Sequence, residues 1–114
     1  MRYGEDHSRA PNFLMEPPVR VEFSNVTGSW IDCTADGQPT PRIEWTTTDG
    51  SSASDVPGIR TVLRNGTLYL PPFSAAEYRQ DIHSAIYRCV ATNSVGSIIS
   101  RDVQVRGGKS IVLY

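Results

Sequence analysis

The stretch CTADGQPTPRIEW, which runs from Cys33 to Trp45, joins two short segments that alternate apolar and polar residues. Alternation with a period of two is typical of a half-buried β-strand. The segment 30–35 places Cys33 on its inward face, and the segment 42–47 does the same for Trp45. One glycine and two prolines lie between the segments and indicate a turn. The residues predicted to face inward are Ile31, Cys33, Ala35, Ile43 and Trp45.

A second cysteine lies on another alternating segment, 85–92, which turns Tyr87, Cys89 and Ala91 inward. The order Cys, Trp, Cys, with a tyrosine two residues before the second cysteine, is the signature of an immunoglobulin-like sandwich. In that fold the cysteines face each other from two sheets, and the indole packs against their disulfide. We therefore predict an all-β sandwich of two antiparallel sheets, with Cys33 bonded to Cys89 and with Trp45 and Tyr87 in the core. Two free thiols in a cytosolic domain are the alternative.

The rest of the chain fits one domain of this kind. Residues 1–10 mix charged and small polar types without a period, which predicts a flexible leader; the domain is expected to cover residues 11–106, and residues 107–114 form a linker or tail. Pro17 and Pro18 break an early β-rich run, and this favours a first strand that changes sheets. Further strands are predicted at 59–63, at 67–70 and after Gly96, with one helical turn at 75–78, which gives seven or eight strands.

Composition and motifs exclude several functions. The net charge of -1 and the pI of about 6.1 give no electrostatic case for nucleic acid, and no apolar run approaches the roughly twenty residues of a membrane helix. The start of the chain shows no secretory signal, which is either absent or already removed, and we expect the chain to be a fragment or an unusual isoform of a larger protein. No nucleophile elbow, phosphate loop or paired histidines are present, which predicts neither an enzyme nor a cofactor or metal site. His83 lies near Asp81 and Glu77, but a lone histidine at a sandwich corner is usually structural.

Four outward residues are candidates for an interface. Trp30 and Tyr69 fall on neighbouring strands and are expected to form an exposed aromatic pair, which either docks another domain or only stabilises the sheet. Ile86 and Val90 form a second, weaker candidate patch.

Two sequons are candidates for glycosylation, and the asparagines that would carry the sugar are Asn25 and Asn65. Both fall in predicted turns, where the modifying enzyme could reach them. The dipeptide that begins at Asn65 is also a good turn former without any sugar.

Several longer stretches resemble a known family. GQPTPRIEW (37–45) and CVATNSVG (89–96) look like the intermediate set (I-set) of immunoglobulin domains. DVPGIR (55–60), YRQDIH (78–83) and GSIISRDV (96–103) narrow the resemblance to the first immunoglobulin domain of the Down syndrome cell adhesion molecule (Dscam) family, above all its arthropod members. The resemblance covers 12–106. His83 and Ala85 replace the aspartate and glycine of most I-set domains, which weakens the match to generic members but not to this family.

The resemblance implies a function and a location. The chain is expected to belong to an extracellular receptor at the plasma membrane of neurons, active in homophilic adhesion, axon guidance and dendrite self-avoidance. Its expected partners are same-family molecules and sister immunoglobulin domains, four of which fold back together as a horseshoe. Two alternatives are an intracellular structural module like those of muscle filament proteins, and the ligand-binding ectodomain of another receptor.

Overall fold

The computed structural model describes residues 7–108, so residues 1–6 of the predicted leader and 109–114 of the predicted tail lie outside the described part. Ten strand segments are present in it: β1 Arg9–Met15, β2 Arg20–Ser24, β3 Ser29–Ile31, β4 Thr34–Gln38, β5 Arg42–Thr47, β6 Thr61–Val62, β7 Leu68–Leu70, β8 Ser84–Thr92, β9 Ser97–Ile99 and β10 Val103–Gly108. A 3-10 turn at Ala75–Glu77 and a one-turn helix, α1, at Gln80–His83 precede β8. The turn was predicted; the helix was not.

The strands form two layers. In one layer β1 pairs with β4, and β3 pairs with β7, which in turn pairs with β6. Strands β3 and β4 belong to one run of chain, interrupted only at Asp32 and Cys33. The other layer has the order β2, β10, β8, β5, with β9 beside β8. The predicted two-layer β-sandwich is confirmed.

The first part of the chain contributes to both layers. Strand β1 pairs antiparallel with β4, whereas β2 pairs parallel with β10. Pro17 and Pro18 separate the two strands, as expected for a chain that changes sheets. Alternation carries no information about strand direction, and therefore the parallel pair could not be foreseen beside the antiparallel ones.

The core lies between the layers and is built on the inward faces of β5, β8 and β10. Trp45, Tyr87 and Cys89 are each at most 1% exposed. Ala35, predicted to face inward, is only half-buried because the run is interrupted at Cys33 and β4 then pairs with β1. Other buried apolar residues are Ile31, Leu68, Leu70, Ile82, Val103 and Val105.

The first and last strands extend two residues beyond the predicted domain bounds of 11–106. Arg9 and Ala10, assigned to the leader, lie in β1, where Arg9 pairs with Gln38. The side-chain amide of Asn93 also donates to the carbonyl of Arg9 over 2.8 Å. At the other end Gly107 and Gly108, assigned to the linker, continue β10 beside β2.

The segment 59–63 is also shorter than predicted, because only Thr61–Val62 pairs with β7. The residues before it form a tight turn in which Arg60 and Val56 bridge each other. This turn directs the side chain of Arg60 into the protein, where it is 8% exposed.

Candidate protein-interaction surfaces

The disulfide joins the two layers at the centre of the core. Cys33 and Cys89 are bonded, as predicted, and close a loop with a sequence separation of 56 residues. Trp45 lies directly opposite Cys89 in the pairing of β5 with β8. Its indole N–H donates to the carbonyl of Gly66 over 2.7 Å, so the buried ring has a partner for its polar atom.

Tyr87 anchors the corner that precedes β8. Its hydroxyl donates to the carbonyl of Ile82 over 2.8 Å, and it accepts a hydrogen bond from Arg60 over 3.2 Å. Arg60 also donates through Nε to the carbonyl of Ser54. Burial raises the pKa of the Tyr87 phenol, which keeps it neutral. The burial of Tyr87 was predicted, but the role of Arg60 as its partner was not. The one sign of it in the sequence is a single cationic residue within the short β-rich segment 59–63.

Trp30 and Tyr69 lie opposite each other on β3 and β7 and stack, with ring centroids 4.7 Å apart and 21° between the ring planes. Trp30 is 58% exposed, whereas Tyr69 is half-buried. Thr61 of β6 lies opposite Tyr69, so that the three residues lie side by side across β3, β7 and β6. We call Trp30, Tyr69 and Thr61 the Trp30 face. The predicted aromatic pair is therefore formed, with Trp30 as its exposed member and Tyr69 partly covered.

Ile86 and Val90 lie on the outer face of the other layer, on β8. Arg88 lies between them along the strand and forms an ion pair with Asp102, so the two apolar side chains do not make one continuous patch. Ile99 of β9 lies opposite Val90 and is 62% exposed. The sequence alone did not single out Ile99, because its neighbour is also isoleucine and alternation could not tell which one faces solvent.

The two sequon asparagines have different surroundings. Asn25 is half-buried, and its side-chain amide donates to the carbonyl of Phe73 over 3.0 Å, while the N–H of Phe73 donates back to the carbonyl of Asn25. Asn65 is exposed in the turn between β6 and β7, where its side-chain oxygen accepts from the N–H of Thr67. Thr67 is buried, and its hydroxyl donates to Asp32 over 2.8 Å.

The residues around His83 do not form an acid–base cluster. Asp81 binds Arg79 over 2.8 Å, and Glu77 accepts from the backbone N–H of Ser74. His83 itself is fully buried. Across residues 7–108, no three His, Cys, Asp or Glu side chains are grouped so that they could hold a metal ion.

An open polar cleft of about 540 Å³ lies between the segment after β5 and the start of β8, with Arg60 and Asp81 in its lining. Asp49 at its edge accepts hydrogen bonds from Ser51 and Thr47, and these lower its pKa to about 2. A carboxylate held ionised in this way is a weak base at neutral pH, so it is poorly suited to general base catalysis.

A sandwich whose layers are joined by a disulfide against a tryptophan, with a tyrosine anchoring the corner, is an immunoglobulin-like domain. The family model described as Immunoglobulin I-set domain matches residues 11–106. The chain belongs to this family.

The chain is similar to two curated proteins of Drosophila melanogaster. It is 61% identical over 102 residues to "Cell adhesion molecule Dscam2" and 51% identical over 98 residues to "Cell adhesion molecule Dscam1". These matches cover 90% and 86% of this chain but 5% of each relative, so the chain spans about one-twentieth of their length. A solved structure, "Crystal structure of Dscam1 isoform 7.44, N-terminal four Ig domains", superimposes with a TM-score of 0.88 at 48% identity, covering 92% of this chain and 27% of that one. The resemblance to the Dscam family is confirmed.

Proposed function

We propose that this chain acts as the first immunoglobulin domain of an extracellular, neuronal adhesion receptor of the Dscam type. The receptor mediates homophilic recognition at the plasma membrane, in axon guidance and in the self-avoidance of dendrites. The observation that carries the proposal is the similarity to Dscam2 along nearly the whole chain. A buried disulfide also suits an oxidising, extracellular location better than the cytosol of a muscle cell.

Within such a receptor, the part we assign to this domain is mainly architectural. The Trp30 face presents a large, rigid aromatic surface, and tryptophan and tyrosine are favoured as anchors of protein interfaces. The occupant we propose is a sister immunoglobulin domain of the same receptor. Adhesion then arises from weak contacts that are multiplied over many copies on two membranes.

The test replaces the matching segment of Dscam2 by residues 9–108 of this chain, which include the whole of β1 and β10, and measures the aggregation of cells that display the hybrid. We expect cells that display the hybrid to aggregate and cells that display its Trp30→Ala variant to aggregate less. The reason is that the equilibrium constant for docking a sister domain on the Trp30 face should fall about thirtyfold, which corresponds to the roughly 2 kcal/mol of an interface hot spot. Ile99→Ala is the matched control because Ile99 is similarly exposed but lies on the other layer. A hybrid that reaches the surface without aggregating contradicts the function, and full adhesion with Trp30→Ala contradicts the docking face.

We also propose that Asn65 carries an N-linked glycan and that Asn25 does not. Asn65 is exposed, whereas the amide of Asn25 is held by Phe73. The intact mass of the secreted chain, measured before and after glycosidase treatment, is expected to show one glycan in the wild type and in Asn25→Gln, and none in Asn65→Gln. Because Asn25→Gln loses a partly buried hydrogen bond, it should also lower the free energy of unfolding by about 1 kcal/mol. A glycan that survives in Asn65→Gln would refute this assignment.

A further inference from the structure

His83 ends α1 and is completely buried. Its Nδ1 accepts a hydrogen bond from the backbone N–H of Arg79 over 2.9 Å. Its Nε2 is buried and has no hydrogen-bond partner among the described residues. Since Nδ1 is an acceptor, the neutral ring carries its proton on Nε2. The chain thus keeps a titratable ring in a site that leaves one polar nitrogen unsatisfied.

Aromatic rings enclose His83. Phe73 stacks on its imidazole with ring centroids 3.8 Å apart, and the ring centroid of Tyr78 lies 5.4 Å from that of His83. Each of the two rings is tilted by 22° relative to the imidazole plane. Phe23 of β2 meets Phe73 edge-on at 6.3 Å. We call Phe23, Phe73, Tyr78 and His83 the corner cluster. It ties the helix before β8 to strand β2.

The corner cluster also packs against the end of β10. The ring of Phe23 covers Gly107 so closely that a Cβ atom there would lie 2.2 Å from Cζ of the ring. Tyr78 lies beside Gly108, where a Cβ atom would be 3.7 Å from Cε1. Whatever loosens the cluster therefore loosens the last residues of β10.

Protonation of His83 works against this arrangement. A proton on Nδ1 would face the N–H of Arg79, which already points at that atom, and two donors cannot bond each other. The ring would also become a cation in a buried site where Nε2 has no acceptor among the described residues. This burial lowers the pKa of His83 below its ordinary value.

The charged groups near His83 have opposite effects on its pKa. Asp81 and Glu77 favour the charged ring, whereas Arg79 disfavours it. Strands β8 and β10 pack against α1. Tyr87 of β8 is a neutral phenol, and Arg106 of β10 is exposed to solvent. No carboxylate of the described residues hydrogen-bonds to His83 to compensate a positive charge.

We propose that His83 is an acid-sensitive lock: as a neutral ring it holds the corner cluster and the end of β10 together, and proton uptake releases them. Histidine in an unfolded chain has a pKa of about 6.5. Because the folded protein holds a lower value, the unfolded chain binds more protons as the pH falls below about 6.5. Stability from the neutral ring is therefore fully present above that pH and is lost below it.

The test is urea unfolding of the full 114-residue chain between pH 8 and pH 5, a range above the ordinary carboxylate pKa values of about 4. We expect the unfolding equilibrium constant to be nearly constant from pH 8 to 7. Below pH 6.5 it should rise by up to tenfold per pH unit, which corresponds to about 1.4 kcal/mol. An unfolding equilibrium constant that does not change between pH 8 and pH 5 overturns the proposal.

Two variants assign the effect to one residue, because the chain has only two histidines. His7→Gln should keep the pH dependence, since His7 is exposed ahead of β1. His83→Asn should abolish it, and a pH dependence that persists in this variant overturns the proposal. If His83→Asn does not fold, the ring resonances of His83 in the wild type decide: we expect them to titrate below the pH of about 6.5 that is ordinary for histidine. A His83 resonance that titrates at pH 6.5 or above would be decisive against the lock.

Discussion

Replacement of both Cys33 and Cys89 by alanine is expected to lower the free energy of unfolding by about 4 kcal/mol. The bond closes a loop with a sequence separation of 56 residues, and a closed loop of this length restricts the unfolded chain strongly. Small domains have only about 5 to 15 kcal/mol of stability in all, so the variant should be marginally folded at body temperature. Urea unfolding followed by tryptophan fluorescence measures the difference, because Trp45 lies opposite Cys89 and senses the core.

A reducing agent provides the control for the double variant. The wild type in the presence of the agent should lose about the same stability as the variant, and the variant should not respond to it at all. The sequence contains no other cysteine, so no alternative pairing can obscure the comparison. Equal stability of the oxidised wild type and the variant would contradict the role assigned to this bond.

Gly28→Ala is expected to lower the free energy of unfolding by about 3 kcal/mol, through backbone strain and overpacking together. Gly28 has a φ of 70°, a conformation that residues with a Cβ atom adopt at a cost. A Cβ atom there would also lie 2.4 Å from the carbonyl oxygen of Leu70 and 2.9 Å from the backbone carbon of Pro71. Backbone atoms cannot rotate away as a side chain can, so β3 and β7 must shift apart. Thermal unfolding measures the loss.

Gly50→Ala separates the two causes. Gly50 has a φ of 86°, but no atom lies within 4 Å of the position that its Cβ would take. This variant should therefore lose only the strain of about 1 to 2 kcal/mol. If the two variants lose the same amount, close packing at Gly28 contributes nothing and the argument from the Leu70 carbonyl fails.

The parts of the fold that the sequence predicted depend on local patterns. Alternation placed Cys33, Trp45 and Cys89 on inward faces, and their order along the chain was enough to predict a sandwich with a bond between its layers. Trp30 and Tyr69 could be paired for the same reason, because neighbouring strands with known inward faces also have known outward faces. The sequons needed no structure at all.

The features of the fold that the sequence did not predict depend on contacts between distant segments, and alternation within one segment gives no information about such contacts. Gly107 and Gly108 have the composition of a linker, and only their pairing with Phe23 and Ser24 makes them a strand. The stacking of His83 on Phe73 likewise requires the chain between them to fold back through a 3-10 turn and α1. A lone histidine in a sequence cannot show that it will be buried without a partner for Nε2.

The parallel pairing of β2 with β10 determines how this domain carries tension. In a parallel pair, the start of β2 and the end of β10 lie at opposite ends of the same ladder. A pull applied to the chain before β2 and after β10 therefore loads the ladder in shear, and its five paired positions resist together instead of unzipping one by one. If the ladder parts, the bond between Cys33 and Cys89 still shields the chain between them from the load. The segment from Cys33 to Trp45 thus lies within the loop that the disulfide protects from extension as long as the bond is intact.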